Sequence, residues 1–329
     1  MPPTENNAVR MRPWLRAVLF VVLAGGVLFS LGKFFDHAAK QDLREKARWV
    51  ISKRNESYDF AVLGSSRPYV GVNIPTVEHK QGKKGVNLAI DGTTYPEQYL
   101  ALTLFLAHNH IKQLILDANI FAFDSSAFKY PFRAYEYLPW VDDPVVFGQL
   151  HDYFGTRAVA WKWVPFFKNA EFNSKIGVIQ GYTFVKSQFD PRAKVAEFDR
   201  YGTRLIDREF DEPGLASYAN VTWKMEALPQ RYFLRLLELA RKNQIEVTMI
   251  MLPEYQAAME RQLNRQAVID YYTAVAASNH IPLLRFDQDA ICRDKSKFYN
   301  VNHLNRRGAL EFSAQLADRL AATNVARRQ

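Results

Sequence analysis

The strongest constraint on the fold is a repeated alternation: short apolar runs, each stopped by a loop signal, with stretches of helical spacing between them. Phe60 to Leu63 ends at Gly64-Ser65-Ser66, Val86 to Ile90 at Asp91-Gly92, and Leu114 to Leu116 at Asp117-Ala118-Asn119. The pattern returns at Val247 to Leu252, stopped by Pro253, and at Leu283 to Phe286. Helical stretches cover Pro96 to His108, Gln230 to Lys242, a long segment reaching Ala277, and Arg306 to Ala322. Strands that are apolar throughout are buried on both faces, which calls for a parallel sheet with helices on either side. Five of them predict a flavodoxin-like, doubly wound α/β domain with ligands at the carboxyl ends of the strands. The loops carrying Ser65, Ser66, Gly92 and Asn119 lie at those ends.

Residues 120–228 break the alternation and are rich in aromatics, among them Phe121, Phe123, Phe128, Tyr130, Phe132, Trp140, Trp161, Trp163 and Phe167. This stretch reads as an insertion whose rings either form a small core of their own or make a lid that stacks on sugars or touches a bilayer. Asp143-Pro144 is a helix start, an N-cap followed by proline in the first turn.

The N-terminus carries a different signal. An uncharged run from Ala17 to Gly32 follows Arg10, Arg12 and Arg16 and precedes Lys33, with Trp14, Phe34 and Phe35 at its edges. The run alone falls short of a hydrocarbon core of roughly 30 Å, but flanking Arg and Lys can snorkel and aromatic rings suit the interface. Three arginines before the span and one lysine after it place the N-terminus in the cytoplasm and the rest of the chain outside. No clear small-x-small site follows the apolar core at the usual place, so an uncleaved anchor is expected over a signal peptide. The layout is then a cytoplasmic tail over 1–13, a transmembrane anchor over 14–35, a juxtamembrane helix over 36–57, the α/β domain over 58–322 and a tail over 323–329.

The net charge of +9 comes from Lys and Arg interleaved with Asp and Glu, without the dense basic stripe that nucleic acid requires. A solvated basic surface facing anionic lipid or polysaccharide is the reading, with no nucleic-acid partner. A single cysteine, Cys292, excludes an intrachain disulfide and a cysteine-rich metal site. His108 and His110 make a poor metal pair with no third ligand nearby, and neither a Walker loop nor a dinucleotide fingerprint is present.

One pair can carry chemistry. A serine on a sharp turn after a strand exposes its hydroxyl beside backbone N–H groups that favour an oxyanion, and Ser66 fits that position. His303, in a loop before the last helix, belongs at the same end of the sheet. Each also has a plain structural reading, Ser66 as an ordinary turn residue and His303 as a helix-start residue with Asn305 as the cap.

The motifs Val62-Leu63-Gly64-Ser65-Ser66-Arg67, Asn87-Leu88-Ala89 with Gly92, Leu116-Asp117-Ala118-Asn119 and His303-Leu304-Asn305-Arg306-Arg307-Gly308-Ala309 resemble the SGNH (GDSL-like) hydrolase and acyltransferase superfamily. The look is that of its membrane-anchored, exported branch, which includes alginate O-acetylation proteins and the D-alanine transfer protein of teichoic acid modification. The resemblance implies Ser66 as nucleophile, His303 as general base, and Ser66, Gly92 and Asn119 as the oxyanion hole, with Asp117 a competitor for the position given to Asn119. The family's aspartate three residues before the histidine is here Asn300. An amide can orient an imidazole but cannot stabilise imidazolium by charge, so the resemblance leaves a slower dyad, a borrowed acid such as Asp294, or lost catalysis. It further implies O-acyl transfer to an extracytoplasmic polysaccharide, with no metal or cofactor and with a multi-pass membrane acyltransferase as partner. Deacetylation by the same residues and a non-catalytic scaffold are the alternatives.

Overall fold

The structure, a computed structural model, describes residues 12–127, 133–190 and 196–326. Arg10, Phe128, Tyr130, Phe132 and the ends of the two expected tails, 1–11 and 327–329, lie outside the described residues. Two compact units are present: Met1–Asp42 with Tyr137–Ala193, and Leu43–Glu136 with Lys194–Gln329. The 120–228 stretch therefore divides between them.

The larger unit is built on a five-stranded sheet of β1 (Ser57–Leu63), β2 (Gly85–Asn87), β3 (His110–Asp117), β4 (Glu246–Met251) and β5 (Leu283–Arg285), in the order β2-β1-β3-β4-β5. All four pairings are parallel. This is the flavodoxin-like order, and its switch point lies between β1 and β3. Leu63 pairs with Leu116 and Asp117 with Ile250, so the loops after β1, β3 and β4 leave the sheet side by side.

Helices cover both faces because each presents an apolar stripe. In Ala227–Lys242 the buried residues Tyr232, Phe233, Leu236, Leu237 and Ala240 recur at helical spacing. Arg306–Ala326 packs on the sheet's other face through Phe312, Leu316 and Leu320, which join Phe60, Val62, Ile250 and Phe286 in one core. On the side of Ala227–Lys242 the core is filled by rings: Tyr95, Phe123, Phe233 and Tyr272 have centroids 4.8–5.7 Å apart. Phe123, from the stretch expected as an insertion, is fully buried in this sheet core.

In the smaller unit, the helix Pro13–Lys40 is accompanied by Pro144–Phe154, Thr156–Trp163, Phe167–Glu171, Asn173–Ile176 and Val178–Phe189. Pro13–Lys40 is long and apolar enough to cross a membrane. Asp143 caps Pro144–Phe154 by accepting from Val145 N–H at 2.8 Å and Val146 N–H at 3.2 Å. Trp161 is the unit's aromatic centre, buried between Phe154 and Phe172 with its indole donating to Glu171 at 2.8 Å.

Candidate active site

Ser66 opens the short helix Ser66–Gly71 that follows β1. The turn before it needs glycine at position 64, because a Cβ there would lie 2.6 Å from both Asp117 Cβ and Pro68 Cγ. His303 enters from a two-stranded ribbon of β6 (Phe298–Asn300) and β7 (His303–Leu304). The ribbon sits at the same end of the sheet because Tyr255 N–H, just beyond β4, donates to Val301 C=O at 3.1 Å.

The two side chains meet: His303 Nε2 lies 2.7 Å from Ser66 Oγ. On the other side of the ring, Nδ1 is 2.9 Å from Asn300 Oδ1. That oxygen also accepts from the backbone N–H groups of Asn302 and His303, both at 3.0 Å. Two backbone donors fix which end of the amide faces inward, so Nδ1 must carry the ring proton and Nε2 presents a lone pair to the serine hydroxyl. Asp294 does not substitute for the missing acid. Its carboxylate is exposed and accepts instead from the N–H and hydroxyl of Ser296 at 3.0 and 2.7 Å.

Burial, reinforced by the nearby Arg67 guanidinium, lowers the His303 pKa to about 4, so the imidazole is neutral near pH 7. Tyr299 stacks on its ring at 5.4 Å between centroids, 16° from parallel. Tyr299 also packs, with Phe198 and Ile206, against a small buried core of Tyr69, Val70 and Ala89.

The three residues expected around an oxyanion lie in the loops after β1, β2 and β3. The backbone N–H groups of Ser66 and Gly92 have no hydrogen-bond acceptor among the described residues. Gly92 has φ +66°, a conformation that favours glycine. Asn119 is buried, and one proton of its amide goes to Ser65 Oγ at 3.0 Å. Its loop is propped from below by Tyr272, whose hydroxyl donates to Asn119 C=O at 2.8 Å and lies 2.6 Å from that of Tyr95.

Sequence reasoning passed over the charges beneath the turn. Arg67, 2% exposed, donates to Leu252 C=O at 2.6 Å and Pro253 C=O at 3.1 Å, and pairs with the fully buried Glu254 at 3.0 Å. The second oxygen of Glu254 is shared by Gln262 at 3.1 Å and by Arg265, which in turn reaches Asp287 at 3.0 Å. Burial would raise the Glu254 pKa, but Arg67 and Arg265 together outweigh it and hold the carboxyl below its ordinary range. Asp117 is the contrasting case: burial pushes it to about 7 despite Arg67, and neither oxygen has a hydrogen-bond partner among the described residues. Arg133 lies over the Asp91-Gly92 turn, its guanidinium carbon 4.0 Å from where a Gly92 Cβ would stand, and pairs with the buried Glu136 at 2.9 Å. The signal for Arg67 was its place next to Ser66; nothing local marks its partners.

No protein-family profile matches the chain, and no curated protein matches it. Among solved structures, one from Bacteroides fragilis NCTC 9343, described as a "putative acylhydrolase", aligns over 85% of this chain and 97% of its own, at 10% identity and a TM-score of 0.38. That is too little shared geometry to carry a functional inference.

Proposed function

We propose that this chain is a membrane-anchored SGNH-type acyltransferase that moves an acyl group, acetyl first among them, onto an extracytoplasmic polysaccharide through a Ser66 acyl-enzyme. The observation that carries the reading is the ordered contact of Ser66 Oγ with His303 Nε2, the ring held in the base-competent tautomer by Asn300. In the first step the Ser66 hydroxyl gives its proton to Nε2 while Oγ bonds to the acyl carbon, and the leaving oxygen then takes that proton. In the second, a sugar hydroxyl gives its proton to Nε2, attacks the acyl carbon, and Ser66 leaves with the proton restored. The N–H groups of Ser66 and Gly92 and the second amide proton of Asn119 receive the oxyanion.

The anchor crosses the bacterial inner membrane with its N-terminus in the cytoplasm, supported by the apolar helix Pro13–Lys40 and the arginines that precede its apolar run. The sheet domain then works outside the cytoplasm, where an acyl donor is handed over by a multi-pass membrane acyltransferase. The test incubates the full chain with an activated acetyl ester and oligosaccharides. Acetylated sugar is expected; acetate as the sole product would replace transfer with hydrolysis.

Asn300 sets a second expectation. Replacing it by aspartate keeps the acceptor for Nδ1 and both backbone N–H groups and adds a charge. Opposite charge at hydrogen-bond range raises a base by about one to three pKa units, and a charge-assisted bond is roughly twice as strong as a neutral one. In the wild-type chain kcat/KM should rise with pH through about 4, where His303 loses its proton. In Asn300→Asp that limb should move up by about one to two units and the plateau should rise about tenfold. A pH–rate profile checks both; an unmoved limb would mean that Nδ1 and residue 300 are not in contact during turnover.

A further inference from the structure

Within the smaller unit, the helix Val178–Phe189 is inverted relative to a helix of a water-soluble protein. Val178, Tyr182, Val185 and Phe189 lie at i, i+4, i+7 and i+11, one face of the helix, and are 57%, 66%, 48% and 85% exposed. The packed side is the polar and small one, with Gln180, Gly181 and Ser187 buried: the place of a Gly181 Cβ is 2.4 Å from the Phe35 ring, and the Phe184 ring meets Phe34 at 6.2 Å and His37 at 5.6 Å. An amphipathic helix in water turns its apolar stripe inward and its polar face out, and an apolar stripe facing outward marks an interaction site.

The partner is identified by depth. Val164, Pro165 and Phe166 line one small cavity together with Phe29, Gly32 and Lys33 of the helix Pro13–Lys40. A Cβ on Gly32 would be 3.8 Å from Phe166 N. Phe29 and Gly32 belong to the uncharged run that the membrane reading places in the bilayer, so the 164–166 segment lies level with the end of that run. Beside it Trp163 is 70% exposed, Val164 49% and Phe167 40%. The Lys162 ammonium sits 5.4 Å from the Trp163 ring, the amphipathic combination favoured where hydrocarbon meets headgroups. The run itself spans only about 24 Å at about 1.5 Å per residue, short of a core of roughly 30 Å, so apolar surface is needed around its end. The first charge past that end, Lys33, is exposed and pairs with Asp142 at 2.9 Å, where it can reach the headgroups; the next, Asp36, is buried with Lys168 at 2.7 Å.

We propose that residues 137–190 form a collar around the emerging end of the anchor and seat in the lipid interface through Trp163, Val164, Phe167, Tyr182, Val185 and Phe189. The inference rests on the helix Pro13–Lys40 crossing the membrane and is independent of the acyl chemistry. The collar extends the apolar surface of a short span and holds the chain on the bilayer as interfacial helices do.

Depth measurement by spin labelling tests this on the full chain, with Cys292→Ser as background and single labels at Val21→Cys in the anchor, Tyr182→Cys and Phe189→Cys in the collar, and Asp152→Cys as an exposed polar control. In nanodiscs of phosphatidylethanolamine and phosphatidylglycerol, labels at 21, 182 and 189 should relax faster with oxygen than with a water-soluble nickel chelate. The label at 152 should show the reverse. If 21 follows this pattern while 182 and 189 respond like 152, the collar is wrong and the anchor stands. If 21 also favours the nickel chelate, the membrane reading fails and the collar with it. Protection of 182 and 189 from both reagents, with spin–spin broadening, would assign the stripe to a second copy of the chain and overturn the lipid assignment.

Discussion

Ser66→Ala is expected to lower kcat/KM for an activated acetyl ester by about 10⁴-fold or more, and His303→Ala by a similar factor, because each removes half of a single proton-transfer unit. The two losses should not add. Once the nucleophile is gone the base has nothing to deprotonate, so the double variant should retain about the activity of either single one. Neither residue holds up the core: both are half-buried, Ser66 at the start of its short helix and His303 at the start of β7, and thermal unfolding should change little. Steady-state kinetics on the three variants, with melting curves beside them, checks the set. Losses that multiply in the double variant would mean that serine and histidine act separately.

Glu254→Gln is expected to destabilise the fold by about 3–5 kcal/mol, the magnitude for removing one partner of a buried ion pair. The carboxylate is fully buried and is the shared counter-charge of Arg67 and Arg265, which an amide cannot neutralise. Arg67→Met should be comparably harmful, and the paired replacement of both by methionine should recover part of the loss, since no uncompensated charge then faces Arg67's former place. The sign with pH follows from Glu254 being held below its ordinary value of 4.5. Its contribution is fully present above about pH 4.5 and is lost as the pH falls through the depressed folded value. Urea unfolding at neutral and acidic pH reads both effects. Because Arg67 follows Ser66 and ties it to the end of β4, Glu254→Gln should also lower kcat more than it changes KM.

The sheet could be read from sequence because its strands are buried on both faces: Phe60 to Leu63 or Val247 to Leu252 has no other place to go than a core. Their loops were equally legible, since glycine and small polar residues stop each run. Legibility ends where partners are far apart in the chain. Ser66 and His303 are separated by 237 positions, and Arg67 reaches Leu252 across 185, distances at which no local pattern records a contact. Motif order was needed for the first pair, and nothing marked the second. By residue type Asn300 could orient the imidazole without charge or mark lost catalysis, and sequence could not choose. In the structure the ribbon's two backbone donors fix its oxygen toward Nδ1, the orienting arrangement. The aromatics of 120–228 were taken together because composition does not say which rings share a core. Phe123 went to the sheet, Trp161 to the smaller unit, and Trp163 to the surface.

The most direct measurement is covalent labelling of the folded full chain with a fluorophosphonate, followed by mass spectrometry of the adduct. A dyad with Nε2 poised on Oγ predicts one phosphonylated residue, Ser66, with labelling lost in Ser66→Ala and strongly slowed in His303→Ala. No adduct on Ser66 in folded wild-type protein, beside an active serine hydrolase that labels under the same conditions, would contradict the account.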